Sequence, residues 1–373
     1  MKENHLNVEL SVTELQKEDM MSRYWSELVK SLDPYVPGEQ PRDKKYIKLN
    51  TNENPYSPSP KAIDAINKAA NEDLRLYPDF SCEELRITIA EYYNLEKEQI
   101  FAGNGSDELL AFCFQAFFNP GNPILFPDIT YTFYPVYSQI YKIDYRLIPL
   151  DDEFKIKVEG FFSENGGIIF PNPNAPTGTC LQLESIIEIL NHNKQNVVIV
   201  DEAYIDFGGE SAVKLINEYP NLLVMQTLSK SRSLAGMRGG FALGHKDLIE
   251  ALSRIKNSFN SYTVDRLAIA GAVAAIKDES YFQATRMKVI NTRERVSSEL
   301  CNLGFMVSKS KANFLFVRHP LFSGKDIFLE LRRKGILVRH FNLPRIEEYL
   351  RISIGTDADM NKLLEVIKEI VMG

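Results

Sequence analysis

Residues 227–240 read TLSKSRSLAGMRGG and follow the apolar run LLVM at 222–225, which predicts a buried β-strand. In this stretch Lys230 stands among hydroxyl groups, and Arg238 follows eight positions later. A lone lysine after a strand is most often a solvated loop charge. The surrounding residues and the rest of the chain therefore have to decide whether Lys230 belongs to a site.

The hydroxyl groups of Thr227 and Ser229 are two positions apart, so they face the same way in an extended segment. Arg238 adds a planar guanidinium, which suits a phosphate group. A lysine amine beside a phosphate site is what a protein needs in order to hold pyridoxal phosphate (PLP) as a Schiff base. We take a PLP site around Lys230 as the working hypothesis.

Composition limits the classes of protein that fit. A chain of 373 residues exceeds the usual size of one hydrophobic core, so two domains are expected. The net charge of −7 and the lack of a long basic run disfavour nucleic acid as a partner, and no apolar run is long enough to span a bilayer. The four cysteines and five histidines show no metal-ligand spacing. We expect a cytoplasmic protein with reduced thiols and without a metal site.

Helical and strand patterns alternate between about residue 60 and residue 240. Such alternation predicts an α/β fold with a mainly parallel sheet and helices on both faces. The carboxyl ends of the strands then lie along one edge, where ligands bind. After residue 240 a long helix at 281–302 leads to a smaller α+β unit. We predict an N-terminal arm at 1–45, a large domain at 46–255 and a small domain at 256–373.

Two side chains follow the predicted strand at 197–200. Asp201 directly after it is either a turn cap or a carboxylate at the functional edge of the sheet. A carboxylate there would pair with the pyridine nitrogen of PLP and keep it protonated, so that the ring accepts electrons from a substrate carbanion. Tyr204 would then donate a hydrogen bond to the phenolic oxygen of the ring.

Three further segments offer weaker signals. Ser106 and Asp107 follow Gly105 at a predicted helix start, which is either an ordinary N-cap or an anion site built from free N–H groups and the helix dipole. Tyr131, at a strand-to-helix turn, is either a core residue or a ring that stacks on the cofactor. Asn174 is either a turn residue or an amide donor to the phenolic oxygen.

Taken together, these residues resemble the class I/II aminotransferases, which are PLP-dependent enzymes of fold type I. The resemblance covers nearly the whole chain. It implies a large domain with a mainly parallel seven-stranded sheet flanked by helices, and a smaller α+β domain. The segments that carry it include YVPGEQP at 35–41, NENP at 52–55, DEAY at 201–204, SK at 229–230 with Arg238, and LRISIGT at 350–356.

The resemblance implies a role for each candidate residue. Lys230 would bind PLP covalently and later move the proton of the substrate α-carbon, while Asp201, Tyr204 and Tyr131 would contact the ring. The family most often has Asn directly before Pro-Thr-Gly, but this chain has Ala175 there, so either Asn174 takes over that contact or the cofactor lacks it. The cofactor phosphate would be held by the N–H groups of Ser106 and Asp107, by Thr227, Ser229 and Arg238, and by Tyr77 of a second subunit in a homodimer.

Substrate recognition is implied for four residues, Tyr35, Asn52, Arg339 and Arg351. Two arginines suit a phosphate monoester and equally suit an α-carboxylate. The resemblance is strongest to members that transaminate L-histidinol phosphate with 2-oxoglutarate, giving imidazole acetol phosphate and glutamate in histidine biosynthesis. Two alternatives stay open, an aromatic or broad-specificity aminotransferase and a PLP lyase of the threonine-phosphate decarboxylase kind. The expected partners are a phosphorylated amino alcohol or amino acid and a 2-oxo acid.

Overall fold

The computed structural model describes residues 22–33, 38–41 and 43–372. Tyr35, predicted to bind substrate, lies outside the described residues. The strands, numbered in chain order, are β1 (Ile47–Lys48), β2 (Ile100–Asn104), β3 (Ile124–Pro127), β4 (Tyr145–Ile148), β5 (Ile168–Pro171), β6 (Val198–Asp201), β7 (Leu222–Thr227), β8 (Gly239–Gly244), β9 (Met306–Val307), β10 (Phe314–Arg318), β11 (Ile336–Leu337), β12 (Arg339–His340) and β13 (Leu350–Ser353). The α-helices are α1 (Glu27–Ser31), α2 (Pro60–Ala69), α3 (Glu83–Tyr93), α4 (Gly105–Phe117), α5 (Phe133–Tyr141), α6 (Leu183–His192), α7 (Lys246–Phe259), α8 (Arg266–Lys277), α9 (Glu279–Asn302), α10 (Gly324–Arg333) and α11 (Asp357–Met372).

A seven-stranded sheet forms the centre of the described chain, in the order β2-β8-β7-β6-β5-β3-β4. Its strands are parallel except for β8, which is antiparallel to both β2 and β7. The predicted α/β class with a mainly parallel seven-stranded sheet is therefore confirmed. Strand β8 was not predicted, because its short apolar run lies between glycines and carries little strand signal.

The central strands are buried on both faces of this sheet. In β6, Val198 and Val200 pack into the core on one face, while Ile199 packs into the core on the other. Fully burying such a side chain contributes about 1.5–3 kcal/mol. Burial on both sides explains why these strands read as continuous apolar runs without alternation.

A second, smaller set of strands lies in the C-terminal part of the chain. An antiparallel sheet has the order β12-β13-β10-β9, and β1 pairs in parallel with β11. The single strand predicted at 336–339 is in fact two strands. Its first half pairs with β1 and its second half with β13, because the chain passes from one sheet to the other at the buried Val338.

The long helix α9 packs against this smaller sheet through Val289, Val296 and Leu300. The domain boundary predicted at residue 255 stays a prediction, and helix α7 runs across that position. Helix α8, which follows it, packs against α2 on the seven-stranded sheet's side of the molecule. In the part of the chain that the structure describes, no helix combines the length and the apolar character that crossing a membrane requires.

Candidate active site

Several strands end or begin at one edge of the seven-stranded sheet. Strand β6 ends there with Asp201 and β7 with Thr227, as expected for parallel neighbours. Because β8 runs the opposite way, it begins at this edge, with Gly240 opposite Thr227. Arg238 immediately precedes β8, so it lies at the same edge of the sheet. The one antiparallel strand of the sheet thus adds a cation to the edge where the parallel strands end.

These elements form one wall of a cavity of about 250 Å³. The other wall comes from residues 50–53, which follow β1, and from the smaller sheet. Of the residues predicted from sequence, the cavity is lined by Asn52, Ser106, Asp107, Tyr131, Asp201, Tyr204, Thr227, Ser229, Lys230, Arg238, Arg339 and Arg351.

One end of the cavity is built to receive an anion. Helix α4 begins at Gly105, and no side chain caps its N-terminus, so the helix dipole and the first N–H groups favour negative charge there. The guanidinium of Arg238 donates to Asp107 Oδ2 at 3.1 Å. A Cβ atom on Gly105, whose φ is +77°, would lie 2.6 Å from Arg238 Nη2. A side chain at position 105 would displace the arginine from this end.

Hydroxyl groups line the same end. Thr227 Oγ1 donates to Ser229 Oγ at 3.0 Å, and both residues are buried. The Tyr131 hydroxyl donates to Asp107 Oδ1 at 2.9 Å. The backbones come unusually close here, because a Cβ atom on Gly240 would lie 2.7 Å from the carbonyl carbon of Gly105. Glycine at position 240 lets β8 pass against the start of α4.

Asp201 is a buried carboxylate, with 5% of its surface exposed. It accepts hydrogen bonds from the Tyr134 hydroxyl at 3.3 Å and from the Ala203 N–H at 3.2 Å. Burial raises the pKa of Asp201 to about 6, although these two hydrogen bonds and Lys230 favour the ionised form. A cationic ring nitrogen bound here could therefore pair with this carboxylate. Its two hydrogen bonds hold the carboxylate in place, and it is ionised above about pH 6.

Lys230 is held from the opposite wall. Its Nζ atom donates to the Thr51 carbonyl at 3.4 Å and lies 5.9 Å from the centre of the Tyr204 ring. The Asn54 amide donates to the carbonyl of Lys230 at 2.9 Å and to that of Ser231 at 3.3 Å. The segment after β1 therefore fixes both the backbone and the amine of this lysine.

The arginines predicted to bind substrate lie on the smaller sheet. Arg351 on β13 donates from Nη2 to the Asn50 carbonyl at 3.1 Å, and its guanidinium lies 5.4 Å from the ring centre of Phe314. Arg339 on β12 is opposite Arg351 in the antiparallel register. Two cationic side chains thus line the cavity on the side away from Arg238.

Two predicted residues lie elsewhere. Asn174 is buried behind the cavity wall, where its amide donates to the Ile129 carbonyl and to Thr177 Oγ1, both at 3.0 Å, and Ala175 lines the cavity instead. Tyr77 is 78% exposed, and its ring stacks on that of Tyr262 at 4.6 Å. Their contacts with a cofactor stay predictions.

The sequence interpretation missed part of the lining, namely Gly38, Asn50, Thr51, Glu53, Pro171, Ala175, Ala203 and Ala235. Several of these are small or contribute backbone atoms, so their residue types give no chemical signal. The NENP motif at 52–55 was the one available clue, because it drew attention to the segment that begins at Asn50.

Comparison with known proteins identifies the class. The family model of class I and II aminotransferases matches residues 44–367. This span is most of the chain, and the protein belongs to that family.

Individual relatives carry a more specific name. The histidinol-phosphate aminotransferase of Clostridium acetobutylicum is 58% identical over 351 residues, which are 94% of this chain and 100% of the relative. The protein of the same name from Clostridium beijerinckii is 57% identical, over 94% of this chain and 98% of the relative.

Solved structures agree in fold. The histidinol-phosphate aminotransferase of Sinorhizobium meliloti, in complex with pyridoxal-5'-phosphate, superposes with a TM-score of 0.86 at 23% identity and covers 95% of this chain and 99% of its own. A different protein of the same name from Clostridium acetobutylicum, only 24% identical to this chain, has a TM-score of 0.81 and covers 87% of this chain and 99% of its own. At such identities the likeness shows the fold alone.

Proposed function

We propose that this protein binds PLP and transfers the amino group of L-histidinol phosphate to 2-oxoglutarate. The observation that carries the proposal is the cavity, where Lys230, Asp201 and an anion-binding end meet at one edge of the sheet. The names of relatives at 57–58% identity support the same substrate. As part of this proposal, we expect the protein to act in the cytoplasm.

The residues present fit PLP. The cofactor has a phosphate at one end and a protonated ring nitrogen and an aldehyde on its ring. The phosphate matches Arg238, the hydroxyls of Thr227 and Ser229, and the free start of α4, where Gly105 leaves room for the guanidinium. The ring nitrogen matches the buried Asp201 carboxylate, and the aldehyde matches the Lys230 amine.

When bound, PLP supplies an electron sink for the substrate α-carbon. Lys230 would hold the cofactor through Nζ, and its amine would move the proton of the substrate α-carbon as general base and acid. Asp201 would keep the ring nitrogen protonated, since a carboxylate partner favours the cation. Tyr204 would donate its hydroxyl hydrogen to the phenolic oxygen, and Tyr131 would pack against the ring.

The smaller sheet provides the substrate side. Arg351 and Arg339 bring two guanidinium groups to the cavity, which suits the dianionic phosphate of a phosphate monoester. The same arginines would also accept an α-carboxylate, so a direct comparison of substrates is required.

We also propose a homodimer in which Tyr77 reaches the phosphate site of the other subunit. Tyr77 and its stacking partner Tyr262 are exposed on the single chain, together with Phe259, which is 75% exposed. Large aromatic groups exposed together mark a surface that another protein covers. If the protein forms this dimer, Tyr77→Phe should weaken PLP binding. If the protein is a monomer, Tyr77→Phe should leave PLP binding unchanged.

The visible absorbance of the purified protein tests the proposal. Wild-type protein loaded with PLP should show the absorbance of the lysine-bound cofactor, and Lys230→Ala should lose it. Loss of the acid–base group alone should lower the rate of transfer by roughly 10²- to 10⁴-fold. Lys288→Ala, at an exposed lysine that packs on Tyr56, is the control and should keep both.

Substrate competition completes the test. Turnover of histidinol phosphate should exceed that of phenylalanine, and glutamate should form without release of CO₂. Faster turnover of phenylalanine would make the protein an aromatic aminotransferase, and CO₂ release from a phosphorylated amino acid would make it a lyase.

A further inference from the structure

Asn52 joins the smaller sheet to the cavity through a closed set of hydrogen bonds. Its N–H donates to Ser353 Oγ at 2.9 Å, and the Ser353 hydroxyl donates back to Asn52 Oδ1 at 2.9 Å. Its carbonyl accepts from the Asn313 amide at 2.9 Å. All three residues are at most 2% exposed. Water therefore does not compete for these bonds.

These bonds determine which way the Asn52 amide points. Because Oδ1 accepts from Ser353, Nδ2 faces the other way and donates to the Tyr204 hydroxyl oxygen at 3.0 Å. The backbone of Asn52 has φ of +57°, a left-handed conformation that asparagine tolerates better than most residues. The amide is thus held at both its oxygen and its nitrogen.

The orientation of Asn52 in turn directs the hydrogen of Tyr204. A phenol hydroxyl has one hydrogen, so an oxygen that accepts from Asn52 keeps that hydrogen for a different acceptor. The Tyr204 ring is fixed edge-to-face on Phe314, with centroids 5.1 Å apart, and Tyr204 lines the cavity. The hydrogen is therefore available to a group bound there.

Ser353 shares its strand with Arg351. The two residues are two positions apart on β13, so their side chains lie on the same face of the sheet. Arg351 also donates to the Asn50 carbonyl, two residues before Asn52. Strand β13, which carries Arg351, therefore holds segment 50–52 at both ends of that segment.

We propose that Ser353 and Asn52 are positioning residues that aim the Tyr204 hydroxyl at the phenolic oxygen of the bound cofactor. The inference rests on the proposed function, which supplies that oxygen. It adds to the substrate contact expected from sequence, since Ser353 and Tyr204 engage the amide oxygen and one of the two amide hydrogens of Asn52. A hydrogen bond from Tyr204 to the phenolic oxygen lowers the pKa of the lysine–cofactor linkage.

The test is a pH titration of the visible absorbance of the PLP-loaded protein, which does not depend on turnover. Tyr204→Phe should raise the midpoint by roughly 1–2 pH units, the size of a hydrogen bond to a charged group. Ser353→Ala should raise it in the same direction by a smaller amount, because the freed Asn52 amide no longer fixes the hydroxyl. In a Tyr204→Phe background, Ser353→Ala should add no further shift.

Two variants control for structural damage. Ser253→Ala removes a half-buried serine hydroxyl that donates to the Ile249 carbonyl on its own helix α7, and it should leave the midpoint unchanged. Ser353→Thr keeps the hydroxyl and should restore the wild-type midpoint. If Ser353→Ala does not fold, Ser353→Cys, close in size but a weak donor, takes its place and should show the same upward shift.

The outcomes separate the two proposals. If wild-type protein takes up PLP and Ser353→Ala or Ser353→Cys leaves the midpoint unchanged, the positioning role is wrong and the proposed function stands. A shift of equal size in the Tyr204→Phe background would also overturn it, because the effect would not pass through Tyr204. A wild-type protein that takes up no PLP would overturn the proposed function and this inference with it.

Discussion

The two walls of the cavity are built in different ways. On the wall of the seven-stranded sheet, Asp201, Thr227 and Arg238 stand at the ends of adjacent hydrogen-bonded strands, so the register of the sheet fixes their spacing. On the other wall, segment 50–54 crosses from β1 to the site and is held by side-chain hydrogen bonds to β13. The first wall suits a cofactor that stays in place, and the second suits a substrate that arrives and leaves.

The largest effect is expected from a comparison of two neighbouring acids, Asp201, which lines the cavity, and Glu202, which does not. Asp201→Asn should lower the rate of transfer by roughly 10²- to 10⁴-fold, because removing one partner of a buried ion pair costs about 3–5 kcal/mol. Glu202 is equally buried, but it accepts from Ser211, Gln226 and the Ala212 N–H, away from the cavity lining. Glu202→Gln should destabilise the fold and change the rate far less. Steady-state kinetics together with urea unfolding would measure both.

The two arginine positions should separate cofactor from substrate. Arg238→Gln should weaken PLP binding by roughly 10- to 100-fold, since a charged hydrogen bond contributes about 1.5–3 kcal/mol. Arg351→Gln should raise KM for the phosphorylated substrate by a similar factor and leave PLP affinity unchanged. Equilibrium PLP titration and KM measurements check this pair. An Arg351→Gln variant that lost PLP as readily as Arg238→Gln would show that Arg351 acts on the cofactor and not only on the substrate.

The free energy of unfolding should depend on pH because Asp201 is buried. Burial raises its pKa to about 6 in the folded protein, above the ordinary value of 3.8. Between about pH 4 and pH 6 the folded state therefore binds more protons than the unfolded state, and stability falls as pH rises through this window. In PLP-free protein the expected loss is about 3 kcal/mol, measured by urea unfolding at several pH values.

The control for this titration is Asp201→Asn, which should lose that part of the pH dependence. Glu202, whose pKa burial raises to about 7, extends the same trend to higher pH. A wild-type stability that rose with pH by an amount abolished in Asp201→Asn would contradict the assignment.

The smallest expected effect concerns Asn54, a residue of the second wall that holds the backbone of Lys230. Asn54→Ala removes the amide that donates to the carbonyls of Lys230 and Ser231. Losing such a bond costs about 1 kcal/mol, so kcat should fall by roughly fivefold. Asn196→Ala removes an amide that donates to the Asn165 carbonyl, far from the cavity, and should cost similar stability without changing kcat. Equal kcat values in the two variants would remove Asn54 from the set that positions Lys230.

The sequence predicted the first wall well because of how parallel sheets are built. Asp201 and Lys230 each follow a strand of continuous apolar residues, and parallel neighbours end at a common edge, so their meeting follows from the pattern. Ser106 was placed with them by the glycine that precedes its helix. Strand β8 lacked any such signal, although Arg238 at its start was identified from its chemistry.

The second wall could be predicted only in part. Asn52, Arg339 and Arg351 came from the family resemblance, which gave residues but not their contacts. The bond from Lys230 to Thr51 uses a backbone carbonyl, which any residue would supply. The bond from Asn52 to Tyr204 depends on one left-handed residue and on a serine 301 positions away. Contacts of this kind follow from tertiary packing and not from local residue types.

The close passage of β8 against the start of α4 has a consequence for how the gene can vary. Gly240 and Gly236 lie four positions apart in the same loop-and-strand stretch, yet a Cβ atom would meet backbone atoms of Gly105 and Ser106 within 3 Å at position 240 and nothing within 4 Å at position 236. In a library randomised at both codons and selected for growth, position 236 should accept many residues. Position 240 should return glycine almost alone.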